Sequence, residues 1–529
     1  MRDDDALPDV DADAVVVGFG PVGQVLTILL AQRGLRVTVV ERWPAPYTMP
    51  RAVSYDAEAA RILAAAGIGD RVGEVTEPSR DYTFKNAAGR TLLHVDVPER
   101  DGLGWADSTS VYQPGLEALL AERAAGLPTV EVRRGQEVVA LTEHADRVEA
   151  EVRRGDGTST TLTARYVIGC DGANSFVRGA IDAAQHDLGF THDWLVCDVV
   201  LHEARAFKPN NLQVCDPARP RTAVSAGPGH RRWEFMRVPS ESYEDFATEA
   251  SAWRLLSLFD IGPHNATLDR FGVYTTQACY AERWRRGRVL LAGDAAHVMP
   301  PFMGQGMSSG FRDAISLTWR LDLILRGVSG AELLDSYESE RRAHVQHAIA
   351  MSMESGKVIC ETNRRAAVTR DGTLLAARRR GAVQGMSRTL VEPLTEGVLH
   401  AGGPEGTAGH LTPIARVSRA GKVGLFDELS GPGFVVLATG DPAVLLGPER
   451  VSFLDSIGAT LLRLAPPGAS AAADEATVAD LDDVLGPWLA AMPAAGVLVR
   501  PDFHIFGAAD ADGLPDVVDD LRRQLSSAH

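Results

Sequence analysis

The chain has 529 residues, too many for one ordinary domain, so two or three are expected. Its net charge of −17 and pI near 5.3 argue against nucleic acid or an anionic membrane as partner, because both need a basic face. Residues 1–13 are acidic without an apolar core, and no run of 18 apolar residues occurs, so neither a signal peptide nor a membrane span is expected.

In chain order, residues 12–41 predict strand, glycine turn, helix and strand. Val15–Val17 form a β-branched run, as in a parallel strand covered on both faces. Val25–Ala31 carry the apolar helix, Gly34 ends it, and Val37–Val40 form the second strand, closing with Glu41. Between about 185 and 285 short alternating runs, Trp194–Val200 and Arg232–Met236, predict a mostly antiparallel sheet. Helical spacing follows from Gly306 to Arg326 and from Ala331 to Met353. The stretch 364–388 is rich in arginine and reads as a solvated or interdomain helix. The glycine- and proline-rich 402–409 segment reads as a linker. In the tail, Phe434–Leu437 and Thr460–Leu464 predict strands, 466–473 a loop, and Val497–Gly507 a hairpin-like segment.

Three segments carry chemistry. Gly18-Phe19-Gly20-Pro21-Val22-Gly23 follows a strand and opens a helix. Gly18 permits the tight turn, Gly20 lets backbone approach a pyrophosphate, and Gly23 lets helix and sheet sit close. Glu41 ends the second strand, where a carboxylate takes ribose hydroxyls, with Arg42 beside it. This segment alone leaves FAD and NAD undivided. The second is Asp171-Gly172-Ala173-Asn174-Ser175. In the third, Gly293-Asp294 precedes Pro300-Pro301 and Gly304-Gln305-Gly306-Met307 at the start of a helix. A helix N-terminus offers free N–H groups and a partial positive charge, suited to the anion of a reduced flavin, with Asp294 on the ribityl hydroxyls.

In this order and spacing the segments resemble the class A FAD-dependent aromatic monooxygenases, nearest the phenylpropionate hydroxylase and aromatic polyketide hydroxylase branch. The resemblance covers about residues 12–350 and includes Pro50-Arg51-Ala52 and Gln113-Pro114-Gly115, whose Arg51 and Gln113 it places at the cofactor. It implies an α/β fold with three parts. A Rossmann-like FAD-binding domain of glutathione-reductase type is built from 1–185 and 286–400, with long helices at 306–353. An antiparallel-sheet substrate domain spans 186–285, and a thioredoxin-like C-terminal domain spans 410–529. The last has no cysteine, so packing or oligomerisation is its expected role. The segment Thr412-Pro413-Ile414 departs from the aromatic-plus-proline pattern of the relatives.

The resemblance further implies NADPH or NADH as co-substrate, held without a second Rossmann unit. A flavin C4a-hydroperoxide would transfer one oxygen to a phenolic or polycyclic aromatic ring, with the Pro301 carbonyl lining the reaction space. Gln213, Cys215, Trp233 and Tyr274 are substrate-pocket candidates because they fall in or near the predicted sheet. His297 is expected to be structural. No acid–base dyad emerges, and none is needed where a flavin carries the chemistry. The five cysteines form no C-x-x-C pair or zinc cluster, so no metal is expected. Reduced thiols of a cytoplasmic protein, with a homodimer left open, are the expectation. A Baeyer–Villiger or antibiotic-modifying oxygenase on the same scaffold, or an FAD protein without oxygenation, stays open.

Overall fold

The computed structural model describes residues 10–46, 52–97, 105–381, 392–404, 406–469, 471 and 474–526. The first sheet has parallel strands Ala12–Val17, Val37–Glu41, Val130–Arg134, Ser159–Gly169 and Val289–Leu291 at its centre, with Ala12–Val17 between Ser159–Gly169 and Val37–Glu41. Val15 and Val16 are wholly buried because helices cover both faces of this strand. The helix Pro21–Gln32 returns the chain between the first two strands. It packs on the 21-residue helix Gln305–Leu325, which the sequence pattern placed within one residue at each end.

The second sheet has seven strands, in the order Ala266–Thr276, His192–Leu201, His230–Met236, Arg221–Ser225, Asn211–Cys215, Asp81–Asn86 and Thr91–Asp96. The assignment of this sheet to 186–285 alone is therefore corrected. Two of its strands come from 81–96, and Asn211–Cys215 runs parallel to Asp81–Asn86. Among the described residues Thr91–Asp96 pairs only with the neighbouring Asp81–Asn86 hairpin arm, a local signal that cannot say which larger sheet the hairpin joins. The arginine-rich helix Arg364–Arg379 docks on this sheet: Arg370 donates to the Cys215 carbonyl (2.7 Å) and Arg378 to the Thr91 carbonyl (2.8 Å). Arg388, at the end of the arginine-rich stretch, lies outside the described residues.

The C-terminal residues form a third, seven-stranded mixed sheet. Strand Val435–Ala438 is parallel to Thr460–Leu464 and antiparallel to Gly496–Val499, which hairpins to Ile505–Ala509. This unit is bolted to the rest by buried arginines. Arg61 donates to Asp427 (2.5 and 2.7 Å) and to the carbonyl and hydroxyl of Thr412 (2.8 and 2.7 Å). The departure at Thr412 thus has a structural use. Arg500, from the hairpin, reaches Glu340 of the helix Asp335–Ile359. The segment read as a linker is not free: the Gly409 N–H donates to Ile505 O (2.8 Å) and its carbonyl receives the Leu394 N–H (2.9 Å).

Candidate active site

At the end of strand Ala12–Val17 the backbone turns through Gly18 at φ 100°. A Cβ there would lie 2.5 Å from the Cys170 carbonyl oxygen, and one at Gly23 would lie 2.2 Å from the Gly18 carbonyl oxygen. Both positions therefore exclude side chains for packing reasons. Gly20 differs, because no atom lies within 4 Å of the place a Cβ would take. It caps the helix Pro21–Gln32 without any side-chain hydrogen bond. Free N–H groups over open space are what a pyrophosphate requires. Val22 serves packing: its side chain fills the notch between Gly293 and Gly310, where added Cβ atoms would sit 3.0 and 2.4 Å from it.

The Glu41 carboxylate receives the N–H groups of Phe19 (2.7 Å) and Trp43 (2.8 Å), one on each oxygen. It is thereby fixed at the strand end with lone pairs to spare for hydroxyl donors. Arg42 is exposed, with its guanidinium 5.4 Å from the centre of the Trp43 ring. Arg51 lies outside the described residues. Gln113 receives the Ala52 N–H (2.8 Å) and donates to Glu117 (2.8 Å).

Asp171 is committed to its own turn, receiving the Ser175 hydroxyl (2.5 Å) and the Val177 N–H (3.1 Å). Burial pushes this carboxyl up despite those bonds. Gly172 adjoins it in the left-handed region, with open space around it. Arg178 ties the second segment to the third, donating to Ala173 O (2.8 Å) and Ala295 O (3.1 Å). Half-buried Asp294 sits in the short helical turn Gly293–Ala295.

That turn is held by a residue the sequence reading missed. Asp313, wholly buried, receives the Gly293 N–H (2.9 Å), the His297 ring N–H (2.7 Å) and Arg341 Nε–H (2.9 Å). Burial alone would raise its carboxyl, but His297 and Arg341 outweigh it and hold it at about 2. His297, expected to be structural, is wholly buried against Asp313. No short motif marks Asp313, because its partners lie 16 to 28 residues away.

The Pro301 carbonyl accepts the Gly304 N–H (3.0 Å). Gly304 takes the left-handed conformation (φ 64°, ψ 23°) and starts the helix Gln305–Leu325, whose first turn has no side-chain cap. Gly306 is open, with Met299 3.8 Å from where its Cβ would be, and half-buried Met307 follows. Gln305 receives a hydrogen bond from Arg312 (3.3 Å), itself anchored by Asp56 (2.6 Å) and Glu58 (2.5 Å). The arrangement fits FAD: two uncapped helix ends for pyrophosphate and flavin anion, and a fixed carboxylate for the ribose.

The second sheet covers this crevice. Trp194 and Met236 on its inner face join the large core shared with the first sheet, and the Trp194 ring stands 5.6 Å from Phe302, next to Pro301. Gln213, Cys215 and Tyr274 lie on that face as well: Cys215 belongs to the same core, Tyr274 packs on it, and Gln213 is register partner of Thr222, itself partner of Glu234. Trp233 does not. It packs with Leu195, Phe235 and Leu255 under the outer helix Glu249–Leu256, so its assignment to the substrate pocket is corrected. Residues 232 and 234 face inward in its place, and the sequence reading missed both.

Residues 11–352 match the family model described as "FAD binding domain", and 409–524 match that of the "HcaD C-terminal domain". The chain belongs to the class A FAD-dependent aromatic monooxygenases. It is 35% identical over 514 residues to the "Probable NADH-specific resorcinol 4-hydroxylase" of Rhodococcus jostii, covering 96% of this chain and 94% of the relative. It is 34% identical over 540 residues to a 3-(3-hydroxy-phenyl)propionate/3-hydroxycinnamic acid hydroxylase of Mycolicibacterium gilvum, covering 98% and 93%. Among solved structures, the flavin-dependent monooxygenase PieE in complex with FAD and substrate shares the fold. Its TM-score is 0.81 at 22% identity, over 98% of this chain and all of the other. This monooxygenase is thus an FAD-dependent, NAD(P)H-using flavoprotein. No helix among the described residues is long and apolar enough to cross a membrane.

Proposed function

We propose that this monooxygenase hydroxylates a phenolic or polycyclic aromatic ring at a carbon ortho or para to an existing hydroxyl, with NADH or NADPH and O2 as co-substrates. The observation that carries the reading is the juxtaposition of Trp194 and Phe302. It sets a sheet face bearing buried polar groups directly over the uncapped helix end at Gly304–Met307. FAD, when bound, supplies the electron transfer and oxygen activation. The protein's part is to keep the crevice dry, to hold negative charge at the helix terminus and to place the ring. In this reading Gly18, Gly20, Gly23 and Glu41 hold the adenosine and pyrophosphate, with Arg42, Arg51 and Gln113 alongside. Asp294 and residues 304–307 hold the flavin half, and the Pro301 carbonyl lines the reaction space.

The C-terminal unit is read as thioredoxin-like. Its β-α-β run, antiparallel hairpin and closing helix Leu514–Ser526 support this, with Pro442 at the helix start where a redox pair would need cysteine. Packing, and assembly into a homodimer, are its assigned roles. The free cysteines suit a cytoplasmic setting.

The test is a screen of phenols and aromatic polyketides for stimulated NAD(P)H oxidation, with mass analysis of products. A gain of one oxygen on the ring supports the reading, and poor substrates should yield hydrogen peroxide in place of product. Conversion of a non-phenolic ketone to an ester, with no phenol hydroxylated, would overturn it in favour of a Baeyer–Villiger enzyme.

A further inference from the structure

The inner face of the second sheet carries a buried carboxyl group with no hydrogen bond among the described residues, that of Glu234, which is 7% exposed. Its ion pair with Arg232 is long, at 3.7 Å. Arg232 cannot close that gap, because Asp198 grips it in a fork at 2.6 and 2.9 Å, and Arg270 adds to Asp198 at 3.6 Å. A buried acceptor with unfilled lone pairs is costly and uncommon, and calls for an explanation.

Its position supplies one. In register across the sheet, Glu234 stands beside Val196 and Thr222, and Thr222 donates to Gln213 (2.5 Å). The next row along the strands is Tyr274, Trp194 and Met236, with Trp194 against Phe302 at the flavin loop. The row on the other side is Arg270, Asp198 and Arg232, with Arg270 5.7 Å from the ring of Tyr112, which precedes Gln113. Glu234 therefore lies between the two places that frame the flavin crevice. The indole N–H of Trp194 is also buried without an acceptor among the described residues. One row thus holds an unfilled acceptor and the next an unfilled donor, on a face that covers the crevice.

We propose that Glu234 is the specificity-determining residue that receives a ring hydroxyl of the aromatic substrate. This rests on the hydroxylase reading above. A carboxylate takes a hydrogen bond from a phenol and offers nothing to an aryl ether, so it selects for a free hydroxyl and feeds electron density into the ring. Sites built to hydrogen-bond a substrate hydroxyl reject analogues lacking it far more strongly than apolar pockets do. Burial pushes the Glu234 carboxyl up, Arg232 opposes this and the like charge of Asp198 adds to it, and neither residue fills it with a hydrogen bond.

The test uses the full-length, FAD-loaded protein and follows perturbation of the flavin absorbance on titration. The probe pairs are resorcinol with 1,3-dimethoxybenzene, and 3-(3-hydroxyphenyl)propionate with 3-(3-methoxyphenyl)propionate. The parent should prefer the phenol of at least one pair by roughly a hundredfold or more. Glu234→Gln, which also donates to an ether, should shrink that preference below tenfold with FAD still bound. A glutamine variant that keeps FAD and the full parental preference overturns the assignment of Glu234 alone. Should that variant not retain FAD, Glu234→Asp decides: a weakened but preserved phenol preference supports the proposal, and unchanged affinities overturn it. If no phenol perturbs the parent's flavin or stimulates its NAD(P)H oxidation, the hydroxylase reading falls and this proposal with it.

Discussion

Replacing Arg500 by methionine removes one of the buried cations that join the C-terminal unit to the FAD domain while keeping much of its volume. Arg500 is wholly buried and donates to Glu340 (2.9 and 2.7 Å), to Asp502 (3.0 and 2.6 Å) and to the Val398 carbonyl (3.0 Å). In the variant Glu340 keeps Arg320 (2.7 Å), but among the described residues Asp502 keeps only the Trp319 indole N–H (2.9 Å) and His504 (3.4 Å) as close side-chain partners. Breaking a buried pair from one side costs about 3–5 kcal/mol, because a charge is left without its partner. The loss should also depend on pH, with a definite sign. Burial acts to raise both carboxyls, yet the arginines outweigh it and hold Glu340 and Asp502 below their ordinary values of 4.5 and 3.8. In the parent their contribution is therefore present above those values and is lost only as pH falls below them. In Arg500→Met burial prevails at Asp502, its carboxyl moves above the ordinary range, and stability returns as pH falls from 7 toward 5. Urea midpoints followed by tryptophan fluorescence at pH 5, 6, 7 and 8 measure the gap between variant and parent. It should be largest at pH 7–8 and narrow toward pH 5. A loss under about 1 kcal/mol, or one that does not change with pH, would refute the reasoning.

Glu41→Arg should weaken FAD by roughly 2–4 kcal/mol, since it removes a charged acceptor and leaves the Phe19 and Trp43 amides unmet; unchanged FAD retention through dialysis would show the assignment to be wrong. Gly304→Asp places negative charge at the uncapped terminus of Gln305–Leu325. A helix-terminus field is worth up to about 2 kcal/mol in a partly buried site, so flavin reduction should slow by roughly tenfold or more while oxidised FAD stays bound. Stopped-flow reduction at the parental rate with full occupancy would remove the helix-terminus account.

The cofactor crevice was legible in the sequence because its parts are local. Gly18, Gly20 and Gly23 stand within six residues at a strand-to-helix turn, and Gly304 in a turn that starts a helix, although the Cys170 carbonyl that bars a side chain at Gly18 comes from the second segment. Such constraints are written into consecutive residues, so the strand–turn–helix order could be read directly. The long helices were legible for the same reason, their apolar spacing repeating along one segment. What holds the crevice together was not. Asp313 meets Gly293, His297 and Arg341, Arg312 meets Asp56 and Glu58, and Arg500 meets Glu340 at a separation of 160 residues. Each is an ordinary charged residue until folding removes water and leaves it only partners distant in sequence. The substrate face was half legible. Alternation along His230–Met236 separates Arg232, Glu234 and Met236 from Trp233 and Phe235, but both sets are buried. A strand with water on one side announces its inner face by polarity. Here the FAD domain covers one side and the helix Glu249–Leu256 the other, so only the tertiary structure decides that the charged set, and not the tryptophan, faces the flavin crevice.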